Sequence, residues 1–444
     1  MVPAAPAGVG KTFRSLRHRN FRYLWMGQVG HAAALWMDQV ARAVLILQLT
    51  DSAIMLSAVI ATRLAPILVF SLIAGVAADR YDRRRILMGT QAVTFLSHVL
   101  LGLMVVIGAI ETWHVFATAL IAGTAMAFNQ PVRQALIPTV VPRDDLMNAV
   151  ALNSAAVSFM RIGGGSIAGV LLIWFSTGGV YLITACIYVF VILTTLLVQA
   201  DGEASRRSQT GWFADLKDGL NYVASNPTLG LVTLLAGILF IFGFPYQSVF
   251  VPLLATRTLG IGDSGVGFLM GATGLGAFAG SIFVAWRSGV SRPGVQLMVN
   301  MLVFGLSLVL VALQATVIGT ALLLAVAGAM TVTYMAFTNA ILLEHSSPEM
   351  HGRVMSLLSL DRGLIPLGAI MAGVLVSAIG VRPGVFVMGA VAASMAGLAL
   401  LFAGRQLASI RGSITDVRSG EGPDTREPPD DGPEAGATIA QPGG

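Results

Sequence analysis

Apolar residues come in long runs along this chain, and that pattern constrains its fold more than any single motif. Twelve runs reach the roughly 20 residues a helix needs to cross the hydrocarbon of a bilayer. They lie at about 21–49, 53–78, 86–109, 113–135, 148–175, 179–199, 228–253, 264–286, 294–314, 317–343, 354–379 and 384–403. In lipid no water satisfies a bare N–H or C=O, so each run is expected as a helix, which closes its own hydrogen bonds. Composition agrees: 55% of the residues are hydrophobic and only 11% charged. The expected class is an all-α polytopic membrane protein with twelve transmembrane helices.

Charge follows topology. Of the 27 Lys and Arg residues, those up to Arg411 recur at every second loop: Lys11 to Arg22, Arg80 to Arg85, Arg133 and Arg143, Arg206 to Lys217, Arg287 and Arg292, Arg353, Arg405 and Arg411. The alternate loops carry only Arg257 and Arg382. Basic residues accumulate on the cytoplasmic side, so both termini are expected in the cytoplasm and the protein in the cell membrane. A nucleic-acid binder would gather such charge on one folded face, so nucleic acid is not an expected partner.

Two halves echo each other. Pro142-Arg-Asp-Asp and Pro348-Glu-Met-His each open an inner loop, and Ala-Gly-Val-Leu follows about 25 residues later, at 168–171 and 372–375. An offset near 205 is six helices plus loops, the internal symmetry of transporters whose site lies between repeated bundles. The expected organisation is a basic N-terminal tail (1–20), a six-helix bundle (21–200), a cytoplasmic linker (201–227), a second six-helix bundle (228–404) and a disordered tail rich in Pro, Gly and acids (405–444). Within the linker, Phe213, Leu216, Leu220 and Val223 share one helical face. That face suits an amphipathic helix on the membrane surface or one packed beneath the bundles.

Several chemistries find no support. Ala5-Pro-Ala-Gly-Val-Gly-Lys-Thr12 fits a relaxed phosphate-loop pattern but has no preceding strand. The six histidines lack ligand spacing, and the one cysteine, Cys186, has no partner in the chain. No catalytic signature is present, so neither an enzyme, a cofactor nor a metal is expected. Glycines four apart, Gly165 with Gly169, Gly267 with Gly271 and Gly276 with Gly280, mark close helix packing.

Charges inside the apolar runs are more informative, because each costs about 2.5 to 3.5 kcal/mol to insert unless it faces a partner or a wet cavity. Asp38 falls mid-helix 1 with Arg42 one turn on; Arg63 falls in helix 2, Arg161 in helix 5, Asp361 and Arg362 in helix 11, and His98 mid-helix 3. These either pair structurally or serve a cavity. Asp38 is the first choice for a proton carrier, with Asp361 second, and Arg161 for holding a substrate. Two acids against Arg42, Arg63, Arg161 and Arg362 leave the core positive, which favours neutral or anionic substrates over lipophilic cations.

The stretch Gly75-Val-Ala-Ala-Asp79-Arg80-Tyr-Asp-Arg83-Arg84-Arg85-Ile lies between helices 2 and 3 of twelve. It resembles the signature of the major facilitator superfamily. FRSLRHRNFRYLWMGQ, LTDS after helix 1, NQPVRQALIPTVVPRDDLMNA and MHGRVMS are similar to the bacterial branch holding enterobactin exporters and macrolide-efflux proteins. Where proton-coupled drug antiporters carry Gly-Pro in helix 5, this chain has Gly163-Gly164-Gly165, and the Arg such proteins carry inside helix 4 has only Arg133, at the inner end, as counterpart. The resemblance implies two pseudo-symmetric six-helix bundles and a gate stabilised in one state by Gly75, Asp79, Arg80, Arg83 and Arg84. It further implies a monomeric secondary transporter, with a small amphipathic natural product such as a siderophore or an antibiotic as cargo and protons as coupling ion. An importer or lipid transporter of the same fold, or a non-transporting membrane sensor, are the alternatives.

Overall fold

A computed structural model describes residues 13–199, 220–286, 292–347, 350, 354 and 362–409. Outside them lie the nucleotide-loop look-alike, Asp361, most of the linker and the C-terminal tail. Among the described residues, twelve long or apolar helices follow in chain order. The first half holds α1 (Arg19–Thr50), α2 (Ala53–Arg80), α3 (Arg83–Val106), α4 (Thr112–Val140), α5 (Arg143–Trp174) and α6 (Thr177–Leu196). The second holds α7 (Pro227–Thr258), α8 (Gly262–Trp286), α9 (Pro293–Leu313), α10 (Val317–Glu344), α11 (Ile365–Ile379) and α12 (Val381–Ser409). Eleven of them are long and apolar enough to cross a membrane; α11, preceded by a turn at Arg362–Leu364, is the shorter one.

Local chemistry sets the helix starts. Ser52 accepts from the N–H of Met55 before α2, Asp82 from Arg84 and Arg85 before α3, and Asn226 from Thr228 and Leu229 before α7. Such caps satisfy N–H groups that have no partner inside the helix. α7 is not uniform: Leu239–Gly243, Tyr246–Phe250 and Leu254–Thr258 run as wide π turns around Pro245 and Pro252. A proline lacks the N–H of an ordinary turn, so the ladder shifts there.

Two seams join the halves: α5 packs along α8, and α2 along α11. Small residues let the backbones meet. A Cβ on Gly169 would stand 2.7 Å from Cα of Gly267, and one on Gly373 would stand 2.6 Å from Cβ of Ser57. Gly169 and Gly373 belong to the two Ala-Gly-Val-Leu repeats, so the internal echo marks equivalent positions on the seams. Gly280 meets Ala329 of α10 in the same manner. With no water to expel between helices, this close packing is what holds them.

The end carrying Arg14–Arg17 and the α2–α3 turn is here the proximal face, the opposite end the distal one. The segment just before α1 is anchored: Ser15 is buried, its Oγ donating to the Asp145 carbonyl, and Arg14 and His18 meet the Asp145 carboxylate at 2.7 Å each. The described end of the linker, 220–225, is helical, and Tyr222 Oη accepts the N–H of Ser347 beneath the second half. α12 continues to Ser409, beyond the boundary expected at 404. On the distal face Arg257 reaches across to Asp51 at 2.8 Å, and Gln48 to Asp263 at 2.7 Å. Asp51 caps α1 in a left-handed conformation, φ 41°.

Candidate functional site

α1 runs through the interior and presents two polar stripes. Leu35, Gln39 and Arg42, spaced four and three apart, line a cavity between the halves; His31, Ala34 and Asp38 line a small chamber inside the first half. That division is helical periodicity applied to one segment.

The cavity holds about 250 Å³. α2 adds Ile60, Arg63 and Leu64, and α7 adds Phe244, Gln247 and Ser248 from its π-turn region. A few polar groups in an apolar wall between two bundles is the arrangement of a small-molecule site. A larger groove, about 740 Å³, runs among α5, α8 and α10 but is lined by residues such as Val170, Phe268 and Leu322, with no charged side chain. Its polar side chains are the hydroxyls of Ser166 and Ser264.

The chamber holds about 20 Å³, room for one water. At its wall Asp38 Oδ1 lies 2.8 Å from Arg42 Nη2 and 3.4 Å from His98 Nε2, and Asp38 Oδ2 lies 2.9 Å from Arg63 Nη1. Arg42 also donates to the Val115 carbonyl and to Thr118 Oγ1 of α4, each at 3.1 Å. The carboxylate is thus shared by two guanidiniums from adjacent helices, as a buried charge requires. Asp38 with Arg42 and Arg63 sums to one positive charge.

Arg63 lines both spaces. Its side chain is 14% exposed against 4% for Arg42 and 2% for Asp38. Of the two arginines on the cavity wall it is the more exposed.

Asp38, Arg42 and Arg63, singled out in the sequence, therefore converge. Arg161 stands apart, its guanidinium 5.2 Å from the ring of Trp36, whose other surroundings include the cavity. Arg362 opens the turn before α11, and its side chain, like Asp361, lies outside the described residues.

The loop motif combines an acid pair, Arg85 with Asp82 at 3.4 Å, with contacts to helix ends. Gly75 and Asp79 fall on the last turns of α2, the Asp79 side chain outside the described part. Arg80 is exposed. Arg83 donates to the Ala135 carbonyl of α4 at 3.3 Å, and Arg84 to the carbonyls of Thr195 and Leu196 at the end of α6. Cations at helix C-termini are stabilising, so these two brace the proximal ends of their own half.

Arg133, counted with the inner-loop charges, is 1% exposed because α4 continues through Pro138 to Val140. It donates to the Leu24 carbonyl at 3.3 Å. Sequence reasoning assigned no role to Tyr181 and Tyr188, whose rings stand 5.7 and 5.4 Å from that of His98. Their seven-residue spacing on α6 is the signal that could have found them. Gln247 and Ser248 had none, since π turns break the period.

Whole-chain comparisons extend the picture. A family model described as transmembrane secretion effector matches residues 10–413. The staphyloferrin A transporter of Staphylococcus aureus is 24% identical over 364 residues, 80% of this chain and 89% of that one. Macrolide efflux protein A of Streptococcus pyogenes is 22% identical over 82% and 90%. Among solved structures, a bacterial homologue of the human lysosomal transporter Spinster, inward-facing and unoccupied, superposes with a TM-score of 0.68 at 15% identity, covering 89% of this chain and 99% of that one.

Proposed function

Since this chain belongs to the transmembrane secretion effector family of the major facilitator superfamily, we propose that it is a proton-coupled efflux transporter of a small amphipathic natural product, a siderophore or an antibiotic, working by alternating access. Relatives named for a siderophore and for macrolide efflux support the cargo class. The proximal face, with its basic loops, is then cytoplasmic, and the protein acts as a monomer in the plasma membrane.

One observation carries the mechanism: Arg63 is a wall common to the cargo cavity and the Asp38 chamber. With Asp38 ionised, the 2.9 Å pair holds Arg63 back, and the cavity is free for cargo. A proton at Asp38 weakens that pair, so the guanidinium turns into the cavity and displaces what sits there. Cargo and proton exclude one another, which is antiport. The competition is strongest for a neutral cargo, and the positive wall disfavours a lipophilic cation. Arg161 over Trp36 helps hold the cargo.

The polar contacts across the distal face, Arg257 with Asp51 and Gln48 with Asp263, suit a state that loads from the cytoplasm. Contacts present in one state and absent in the other bias a two-state equilibrium. The driving force is ample, since one elementary charge crossing 100 mV releases about 2.3 kcal/mol. Vesicles holding the purified protein, given a pH gradient and a labelled macrolide or siderophore, test the reading. Cargo accumulation that collapses with the gradient supports it; flux unaffected by the gradient contradicts proton coupling.

A further inference from the structure

His98 is buried among the charges of the chamber, and its two ring nitrogens face different partners. We propose that the transported proton is shared between His98 Nε2 and Asp38 Oδ1, rather than carried by Asp38 alone. This rests on the proton-coupled reading above and deepens it.

Hydrogen-bond bookkeeping leads there. His98 Nδ1 lies 2.7 Å from the Thr94 carbonyl oxygen one turn earlier. A carbonyl only accepts, so Nδ1 must hold the hydrogen. A neutral imidazole has one N–H, so Nε2 is then a bare acceptor. That nitrogen points at Asp38 Oδ1, another acceptor, 3.4 Å away, and makes no hydrogen bond. Two lone pairs face each other in a site where neither ring nor carboxylate is more than 2% exposed. A proton turns that opposition into a charge-assisted N–H⁺···O⁻ bond, with no rearrangement larger than a few tenths of an ångström.

The groups around the ring fit a transient rather than a permanent charge. From α1 come Asp38, Arg42 and His31; from α2, Arg63; from α6, the rings of Tyr181 and Tyr188; from α4, Asn129 and, one turn on, Arg133. The proton raises the Asp38, Arg42, Arg63 and His98 cluster from one positive charge to two. Arg42 and Arg63 both border the cargo cavity, but Arg42 is also held by α4, so repulsion falls hardest on Arg63. His98 is thus the positioning half of a proton site whose occupancy is read out by Arg63. Tyr188 Oη lies 3.2 Å from His31 Nδ1, and both residues line the same water-sized chamber, which supplies a short polar path for the proton to arrive.

Full-length protein in lipid nanodiscs, labelled with ¹⁵N-histidine, gives the test. The six histidines are assigned by replacing the other five singly, so His98 itself stays intact. The expected spectrum shows His98 as the Nδ1–H form at high pH, with Nε2 moving from the bare to the protonated nitrogen region as pH falls, and no such movement in Asp38→Asn. An Nε2–H form at high pH, an Nε2 that stays bare down to the pH at which the protein unfolds, or equal proton uptake in Asp38→Asn would each overturn the shared site. Transport separates the two proposals. Loss of gradient-driven flux in both His98→Gln and Asp38→Asn supports both; loss in Asp38→Asn alone leaves proton coupling standing and removes His98; retention in both removes Asp38 as the coupling group.

Discussion

Arg63 Nη1 lies 2.9 Å from Asp38 Oδ2, and the same guanidinium borders the cavity between the two halves. In the proposed mechanism, proton and cargo compete through that one arginine.

The first prediction concerns the partner that does not move. Arg42 is bound to Asp38, Val115 and Thr118, so Arg42→Met leaves a buried carboxylate short of a partner. Breaking a buried pair typically costs about 3–5 kcal/mol, and the thermal midpoint in detergent is expected to fall markedly. Pairing Arg42→Met with Asp38→Asn removes the stranded charge, so the double variant is expected to be more stable than the sum of the single losses. Additive losses would mean the pair is not coupled.

A second prediction addresses the distal latch. The Arg257–Asp51 pair is largely exposed, with side chains 32% and 84% accessible, so it contributes about 1 kcal/mol or less. That is still enough to move a balanced two-state equilibrium up to about fivefold. Spin labels at Ile107→Cys and Ile318→Cys, on a Cys186→Ser background, report the distal opening. Arg257→Ala is expected to shift the distance distribution toward longer values without changing expression; an unchanged distribution removes the latch.

The seam gives a third. Gly169 and Gly267 meet backbone to backbone, so Gly267→Val forces α5 and α8 apart. Overpacking of this kind costs on the order of 1–3 kcal/mol, and here it acts on the contact between the halves. Transport is expected to fall more steeply than thermal stability does. Normal transport would mean that α5 and α8 separate more easily than their packing implies.

Much of this was legible in the residues. The apolar runs located the twelve described helices, because a 20-residue apolar stretch has few other fates in lipid; of the glycines four apart, Gly165, Gly169, Gly267 and Gly271 fell on the α5–α8 seam, while Gly276 and Gly280 packed on α10. Depth could be read too: Asp38 and His98 stood mid-run and Arg63 in the outer half of its run. Azimuth could not, since three separate helices must rotate the same way for the three to meet. Arg133 was misplaced because α4 runs on through Pro138, and proline at a helix end and inside a helix look alike in sequence. Arg83 and Arg84 reach carbonyls near helix ends, partners that carry no sequence mark.

A fourth prediction follows from those carbonyls. Arg84→Gln removes a cation from the end of α6, an interaction worth about 0.3–1 kcal/mol. Membrane insertion is expected to survive while the thermal midpoint drops slightly, as read by a melting scan of the purified protein. Failed insertion would return the basic loop to a topological role alone. Asp79→Asn separates the gate role, with impaired cycling at normal insertion as the expected outcome.

The central claim is that a proton at Asp38 exchanges for cargo at Arg63. The measurement is efflux by Asp38→Asn protein in vesicles, once with an imposed pH gradient and once down a cargo gradient alone. Asp38→Asn, which mimics the protonated state and so leaves Arg63 turned into the cavity, is expected to lose accumulation against a gradient and to pass cargo downhill only at lowered apparent affinity. Undiminished gradient-driven accumulation would contradict the account.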